Sequence, residues 1–338
     1  MDLNFSGHVT RVVAVEEASQ VGQARREALS LAQQAGFDEM DAGRVALAAT
    51  EMATNILKHG RDGRMYLSLV CGRGGQGVEL CAVDNGPGFS LAQALPDGYS
   101  TGGTQGLGLG AIQRQATVLE LWSDSKGAVL VARIYASRCP RDVDVAYGAL
   151  RLPMKHEPVS GDAWHLHATG TTVSLTVIDG LGHGLQASEA AHAGVAAAAG
   201  RGTVPAGEVM AALHAGMSGT RGGAAAVAHV EMDTGQLQFA GVGNIAASLC
   251  EPAGSRGMAS HPGIVGVQFR KAQPFNFHAA AGTLLVMHSD GLQGRWSLRD
   301  YPGLFFRHPA LIVAVLQRDF DRGRDDTCIV ALRLGDLH

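Results

Sequence analysis

Four aspartates, each beside a glycine or a second acid, and one Glu–Asn pair a helical turn apart carry most of the chemical capacity of this 338-residue chain. Glu51 and Asn55 are four residues apart, so on a helix they share one face, and His59 continues the row. A carboxylate there suits a base, and an amide oxygen beside it suits Mg²⁺, which prefers oxygen donors and shares its shell with phosphates. Asp84 ends an apolar run and enters Asn-Gly86-Pro-Gly88, a turn that leaves its carboxylate at a strand tip, able to accept from an exocyclic amine such as adenine's. Gly106-Leu-Gly108-Leu-Gly110 opens a helix, where free N–H groups and the helix dipole hold phosphate.

The second constellation is acidic throughout. Asp162 follows Gly161, Asp179 opens Asp-Gly180-Leu-Gly-His-Gly184, Asp290 sits in Ser289-Asp-Gly291, and Asp325 precedes Asp326. Apolar strands end at or adjoin most of these positions, so the carboxylates gather at one edge of a sheet. Two carboxylates ~4 Å apart repel by about 4 kcal/mol at an effective dielectric of 20. Divalent cations make such a cluster tolerable and would deliver an activated water to phosphorus. Turn caps are the plain alternative for any one Asp-Gly, and loop glycines for the Gly-rich run. His165 and His167, two apart on a strand, would face one side near Asp162, but no Cys/His constellation supports zinc. His183 stands beside the proposed metals as a candidate proton donor or a plain loop histidine.

The elements that must position these residues are readable in outline. Val12–Val15 reads as a strand, 19–35 as a helix, and 41–58 as a second helix with Leu47, Met52 and Ile56 among its apolar positions. Strands follow at 65–71 and 78–84 around the turn-rich Gly72–Gly77, then a helix from about Gly110 and strands at 118–123 and 128–135. The polar Ser137–Asp142 stretch, with its proline, reads as a linker. Beyond it, strands fit 172–178, 225–231, 236–241, 245–249, 283–288 and 327–333, with helices at 185–199 and 206–217. Helices grouped between strands favour a layered sandwich over a doubly wound sheet.

Composition narrows the class. A net charge of −4 with 17% charged residues gives no footprint for nucleic acid. The five cysteines have no CxxC spacing and read as reduced thiols. No signal peptide and no apolar stretch of ~20 residues is seen, so the expectation is a cytoplasmic, soluble protein with no membrane partner.

The order of the first set resembles the N, G1 and G2 boxes of the GHKL ATPase superfamily, nearest the anti-sigma and stressosome serine kinases. Asp97-Gly-Tyr-Ser-Thr101 is especially similar to the RsbT-type switch kinases. The resemblance implies Glu51 as general base, Asn55 as Mg²⁺ ligand, Asp84 as adenine reader, and Thr101, Gly86, Gly88, Gly106, Gly108 and Gly110 around the ATP pocket. No Walker A pattern and no upstream phosphoacceptor helix pair is present. The second set resembles PPM-type metal-dependent Ser/Thr phosphatases, nearest the SpoIIE/RsbX branch, with Gly241-Val-Gly-Asn-Ile245 adding to the match. That implies two Mn²⁺ or Mg²⁺ ions on Asp162, Asp179, Asp290, Asp325 and the Gly180 carbonyl, Asp325 being favoured over Asp326.

The expected architecture is an α/β two-layer Bergerat-type GHKL ATP-binding domain over 1–137, a linker over 138–145, and an α/β/β/α PPM-type phosphatase sandwich over 146–338. The expected activity is a kinase and a phosphatase for Ser/Thr of STAS-domain antagonists or stressosome scaffold proteins, using ATP and Mg²⁺ in the first half. Two rivals remain open: a phosphatase with a nucleotide-sensing GHKL domain, and a partner-switching binder that sequesters a sigma factor or activates a downstream phosphatase.

Overall fold

Asp38 starts the longest of the described helices: its side chain accepts the Asp41 N–H at 2.8 Å, Glu39 and Asp41 fill the first turn, and Lys58 and His59 fill the last. Both charge placements complement the helix dipole. In the computed structural model, which describes residues 2–72, 74–88, 108–137, 145–155, 157–268 and 273–335, this helix is α2, Glu39–His59. It lies in the first of two units, residues 10–142; the second comprises residues 1–9 and 143–338.

In the first unit a five-stranded antiparallel sheet runs β2-β3-β4-β6-β5 (Arg11–Ala14, Arg64–Gly72, Gly75–Asp84, Gly127–Tyr135, Val118–Asp124). Register pairs Leu67 with Leu80 and Leu80 with Ala132, so alternate residues share a face. That face (Met65, Leu67, Leu69, Val78, Leu80, Leu130, Ile134) packs under α1 (Ala18–Gln34) and α2 through Ala24, Ala28, Leu31, Val45, Ala49, Met52 and Ile56. Each fully buried Leu, Met or Ile stabilises this layer by about 1.5–3 kcal/mol. The short α3, Gly108–Gln115, docks against the same helix layer through Ile112. Two expectations change. Leu47 remains 42% exposed, because Val45, Ala49, Met52 and Ile56 already fill the inward stripe. Gly75 and Gly77 belong to β4 rather than to a turn, since their backbone pairs with Gly72 and Val70.

The second unit stacks two antiparallel sheets. One has the order β1-β8-β9-β10-β11-β14 (Leu3–Ser6, Asp162–Ala168, Thr172–Gly180, Gly223–Glu231, Gln236–Val242, Phe275–His278). The other runs β13-β12-β15-β16-β7 (Gly254–Met258, Ala246–Glu251, Leu284–His288, Thr327–Arg333, Tyr147–Leu152). Helices α4 (Leu185–Ala198) and α5 (Ala206–Gly216) cover the first sheet; α6 (Pro309–Phe320) covers β7 and β16 of the second. This is the four-layer α/β/β/α order. The expected first domain, 1–137, thus opens with nine residues that belong to the second unit, because β1 pairs Leu3–Ser6 with Ala168–His165. Most of the expected linker, residues 138–144, lies outside the described residues.

Candidate functional site

In the first unit α2 forms one wall of a candidate nucleotide pocket. Glu51 and Asn55 are half-buried, one turn apart. The start of α3 is set directly against them: a side chain on Gly108 would put its first carbon 3.1 Å from Glu51 Oε2 and 3.6 Å from the Asn55 amide. A side chain here would fit only if the Glu51 carboxylate gave way by a few tenths of an ångström. Nine residues further along, roughly 13 Å at helical rise, Gly60 ends α2 against the Cβ of Asp84. Asp84 closes β4, and its Oδ1 accepts the Gly86 N–H at 2.7 Å. Gly88 sits at φ 70, in the left-handed region, and a side chain there would run into the Asp124 carbonyl and Ser123 Oγ. The structure thus brings Glu51, Asn55 and Gly108 together, places Asp84, Gly86 and Gly88 at the far end of the same helix, and buries Gly110 in α3. Thr101 and Gly106 lie outside the described residues.

In the second unit the sheets deliver the aspartates. Asp162 and Asp179 are direct partners across β8 and β9, and Gly180 pairs with Gly223 of β10. Asp162 is buried, and its Oδ2 accepts from Ser289 Oγ at 2.6 Å; the same oxygen of Ser289 accepts the Cys328 N–H at 2.9 Å. Asp290 follows at once, its Oδ2 bonded by Asn244 Nδ2 at 2.9 Å. At the head of β16 the two acids divide. Asp326 is buried, with Oδ1 on the Met154 N–H (2.7 Å) and Oδ2 on the Gly161 N–H (2.8 Å); Asp325 is exposed and accepts the Asp326 N–H through Oδ1 (2.9 Å).

The electrostatics follow from this crowding. Burial, then the charge of Asp179, hold the Asp162 carboxyl well above the usual carboxylate range, against the pull of Ser289. Burial, then Asp290, Asp325 and Asp326, push Asp179 up to about 7. Arg151, buried within electrostatic reach of Asp162 and Asp326, donates from Nη1 to the Gly7 carbonyl (3.1 Å) and from Nη2 to that of Ser160 (3.2 Å). The donors are all hard oxygens with excess negative charge, a set that fits Mg²⁺ or Mn²⁺. They are neighbours by register and charge rather than a closed cage: among the described residues no three His, Cys, Asp or Glu side chains stand at metal-ligand spacing.

Two sequence expectations are corrected here. His165 and His167 do share a face, but alternation puts it opposite Asp162, on the side covered by α4 and α5. His165 Nδ1 meets Ser6 Oγ at 2.9 Å, and burial with His167 beside it lowers its pKa to about 4. Strand β9 also runs through Asp179 to Gly180 instead of stopping short. Three charged residues near the site carried no signal in the sequence: Arg151 inside β7, Glu157 in a loop, and Arg221 just before β10. The strand pairing of β7 and β10 brings the two arginines there, and the turn after β7 brings Glu157. Glu157 Oε1 lies 2.8 Å from His183 Nδ1.

Comparison with known proteins accords with this division. Residues 14–134 match the family described as histidine kinase-like ATPase domain, and residues 169–335 match the stage II sporulation protein E (SpoIIE) family. The chain is 34% identical over 92 residues to the serine/threonine-protein kinase RsbT of Bacillus subtilis (strain 168), covering 27% of this chain and 69% of RsbT. A solved structure described as "The bacterial stressosome: a modular system that has been adapted to control secondary messenger signaling" superposes at TM-score 0.52 with 26% identity, covering 56% of this chain and all of that one. RsbX in complex with magnesium gives TM-score 0.48 at 20% identity, over 55% of this chain and 94% of that one.

Proposed function

The chain belongs to the family of RsbT, joining its histidine kinase-like ATPase domain to a SpoIIE domain of the PPM fold, and from that premise we propose that it both adds and removes phosphate on a protein serine or threonine. The observation that carries the reading is the presence on one chain of two separate oxygen-donor sites of different design: Glu51 and Asn55 facing the start of α3, and Asp162, Asp179, Asp290 and Asp325 around two sheet ends.

In the first unit Glu51 takes the proton of the target hydroxyl as its oxygen bonds to the γ-phosphorus of ATP and ADP leaves. Asp84 reads the adenine amine, and the N–H groups at the head of α3 face phosphate. Asn55 would hold Mg²⁺, which offsets phosphate charge. In the second unit a water oxygen bonds to phosphorus, the serine oxygen leaves and takes up a proton, and inorganic phosphate is released. Asp162, Asp179, Asp290, Asp325 and the Gly180 carbonyl would hold two Mn²⁺ or Mg²⁺ ions, which supply a water that ionises near neutral pH and positive charge against the phosphate. Ser289 orients Asp162 and Asn244 orients Asp290. Asp326 spends both oxygens on backbone amides, which supports Asp325 as the ligand of that pair. The substrates that fit a relative of RsbT and a stressosome structure are STAS-domain antagonists or scaffold proteins in a partner-switching system.

The test incubates the protein with Mg-ATP and a STAS-domain partner, removes ATP, and chases with Mn²⁺, following phosphoserine by intact mass. Wild type should add and then remove one phosphate; Glu51→Ala should fail to add it, and Asp290→Ala should fail to remove it. Removal without addition makes the first unit a nucleotide sensor and overturns the two-way reading. A partner captured according to nucleotide state with no change in phosphate makes the chain a binding switch.

A further inference from the structure

We propose that Arg221 grips the phosphate of the phosphorylated substrate in the second unit, an assignment that rests on the phosphatase reading above. Strand register puts it there. Gly180 pairs with Gly223 and Asp179 with Ala224, and just past the strand end the Leu181 N–H donates to the Gly222 carbonyl at 2.9 Å. The next step outward sets residue 221 over residue 182: Nη1 of Arg221 lies 3.3 Å from where a first side-chain carbon on Gly182 would be. The guanidinium therefore covers the loop that begins at Asp179 and Gly180.

Three other guanidinium groups of this unit are already engaged. Arg151 donates to Gly7 and Ser160, Arg318 to Asp319, and Arg333 to the carbonyls of Gly282 and Arg307. Arg221 is exposed and, among the described residues, makes no hydrogen bond or ion pair. An unspent planar cation within one loop of a carboxylate cluster is suited to a dianionic phosphate monoester, which it can bind through two parallel N–H donors. The other end of the loop repels the same ligand. Glu157 reaches to 3.2 Å from the side-chain position of Gly184 and holds His183 through its second oxygen. Residues 181–184 thus run from a positive wall at Gly182 to a negative wall at Gly184, and phosphate enters from the arginine side. Leu181, 51% exposed, flanks this entry with apolar surface for the polypeptide that carries the phosphate.

The experiment measures Mn²⁺-dependent hydrolysis of p-nitrophenyl phosphate and its inhibition by inorganic phosphate in wild type, Arg221→Ala, Arg221→Lys and Asp290→Ala. Arg221→Ala should raise KM about tenfold and weaken phosphate inhibition by the same factor, with kcat changed far less. Arg221→Lys should recover part of the affinity, since an ammonium restores the charge without the fork. The exposed position predicts an unchanged urea midpoint for both. Unaltered KM and phosphate inhibition in Arg221→Ala, beside a hydrolysing wild type, would overturn the assignment and leave the phosphatase reading standing. A shifted urea midpoint with unaltered KM assigns Arg221 to structure and overturns it equally. A wild type as inactive as Asp290→Ala overturns the phosphatase reading and this assignment together.

Discussion

Ser289 holds two partners with one hydroxyl, donating to Asp162 and accepting from the Cys328 N–H. Both partners are buried, so neither finds water when the hydroxyl is removed. Ser289→Ala should therefore cost about 1–3 kcal/mol, the penalty of an unpaired buried polar group, read by urea denaturation in EDTA. A loss below ~0.5 kcal/mol would mean that Asp162 finds another donor. At this scale the candidate ligands were legible, because an acid beside glycine at a strand end leaves a mark in the sequence. The division of labour between Asp325 and Asp326 was not, since it depends on which carboxylate meets the amides of Met154 and Gly161, about 165 residues away in the chain. Arg221 left no mark at all, lying in a short loop whose importance comes from its neighbour across the sheet.

Helix α2 shows how an element is held in place to serve a site at its middle. Asp41 in its first turn is buried and accepts from the Ser137 hydroxyl (2.6 Å), the Ser137 N–H (2.8 Å) and Arg44 (2.8 Å). Burial pushes its carboxyl upward, but the bonds from Ser137 and the Arg44 guanidinium outweigh that and leave it below the ordinary value. A carboxyl with a lowered folded-state pKa contributes stability that is full above its unfolded pKa, about 3.9, and is lost as pH falls through the lower folded value. Asp41→Asn should thus destabilise by about 1–3 kcal/mol at pH 7, and the gap to wild type should close at acid pH below the folded pKa. A gap of constant size down the pH scale would remove Asp41 as its cause. Elements with a clear period, such as α1 and α2, were found from sequence to within two residues. Helix α6 was missed because Leu311 to Leu316 are buried on every side, which erases the 3.6-residue signal. Strands β1 (Leu-Asn-Phe-Ser) and β14 (Phe-Asn-Phe-His) were missed because two alternations without the β-branched run that marks β2 are too short a signal, and β8 because Trp164, His165 and His167 hide its alternation.

Over the whole molecule, two units with different ligand requirements imply two separate responses to additives. Anything that binds only the folded state stabilises by mass action, about 2.7 kcal/mol at a hundred times Kd. Mn²⁺ should raise the melting temperature of wild type and leave that of Asp290→Ala unmoved, while ATP added on top of Mg²⁺ should give Asp290→Ala and wild type the same further stabilisation. Equal stabilisation of Asp290→Ala by Mn²⁺ would place the metal elsewhere. Among the described residues no helix is long and apolar enough to cross a membrane. The division between units was the part of the architecture least visible in the sequence, since nothing in Leu3–Ser6 announces that these residues belong beyond residue 143.

That edge strand also sets a clock. Ser6 of β1 meets His165 of β8 across 159 residues of chain. At a synthesis rate of ~5–20 residues per second, Leu3 and Phe5 leave the ribosome roughly 8–30 s before their partners exist. For that interval two core side chains of the second unit have nowhere to go, while the 10–142 segment between them can fold. A strand made so long before its partner must wait through that interval, so this edge of the second unit is open to chaperones and to mispairing while the rest is synthesised.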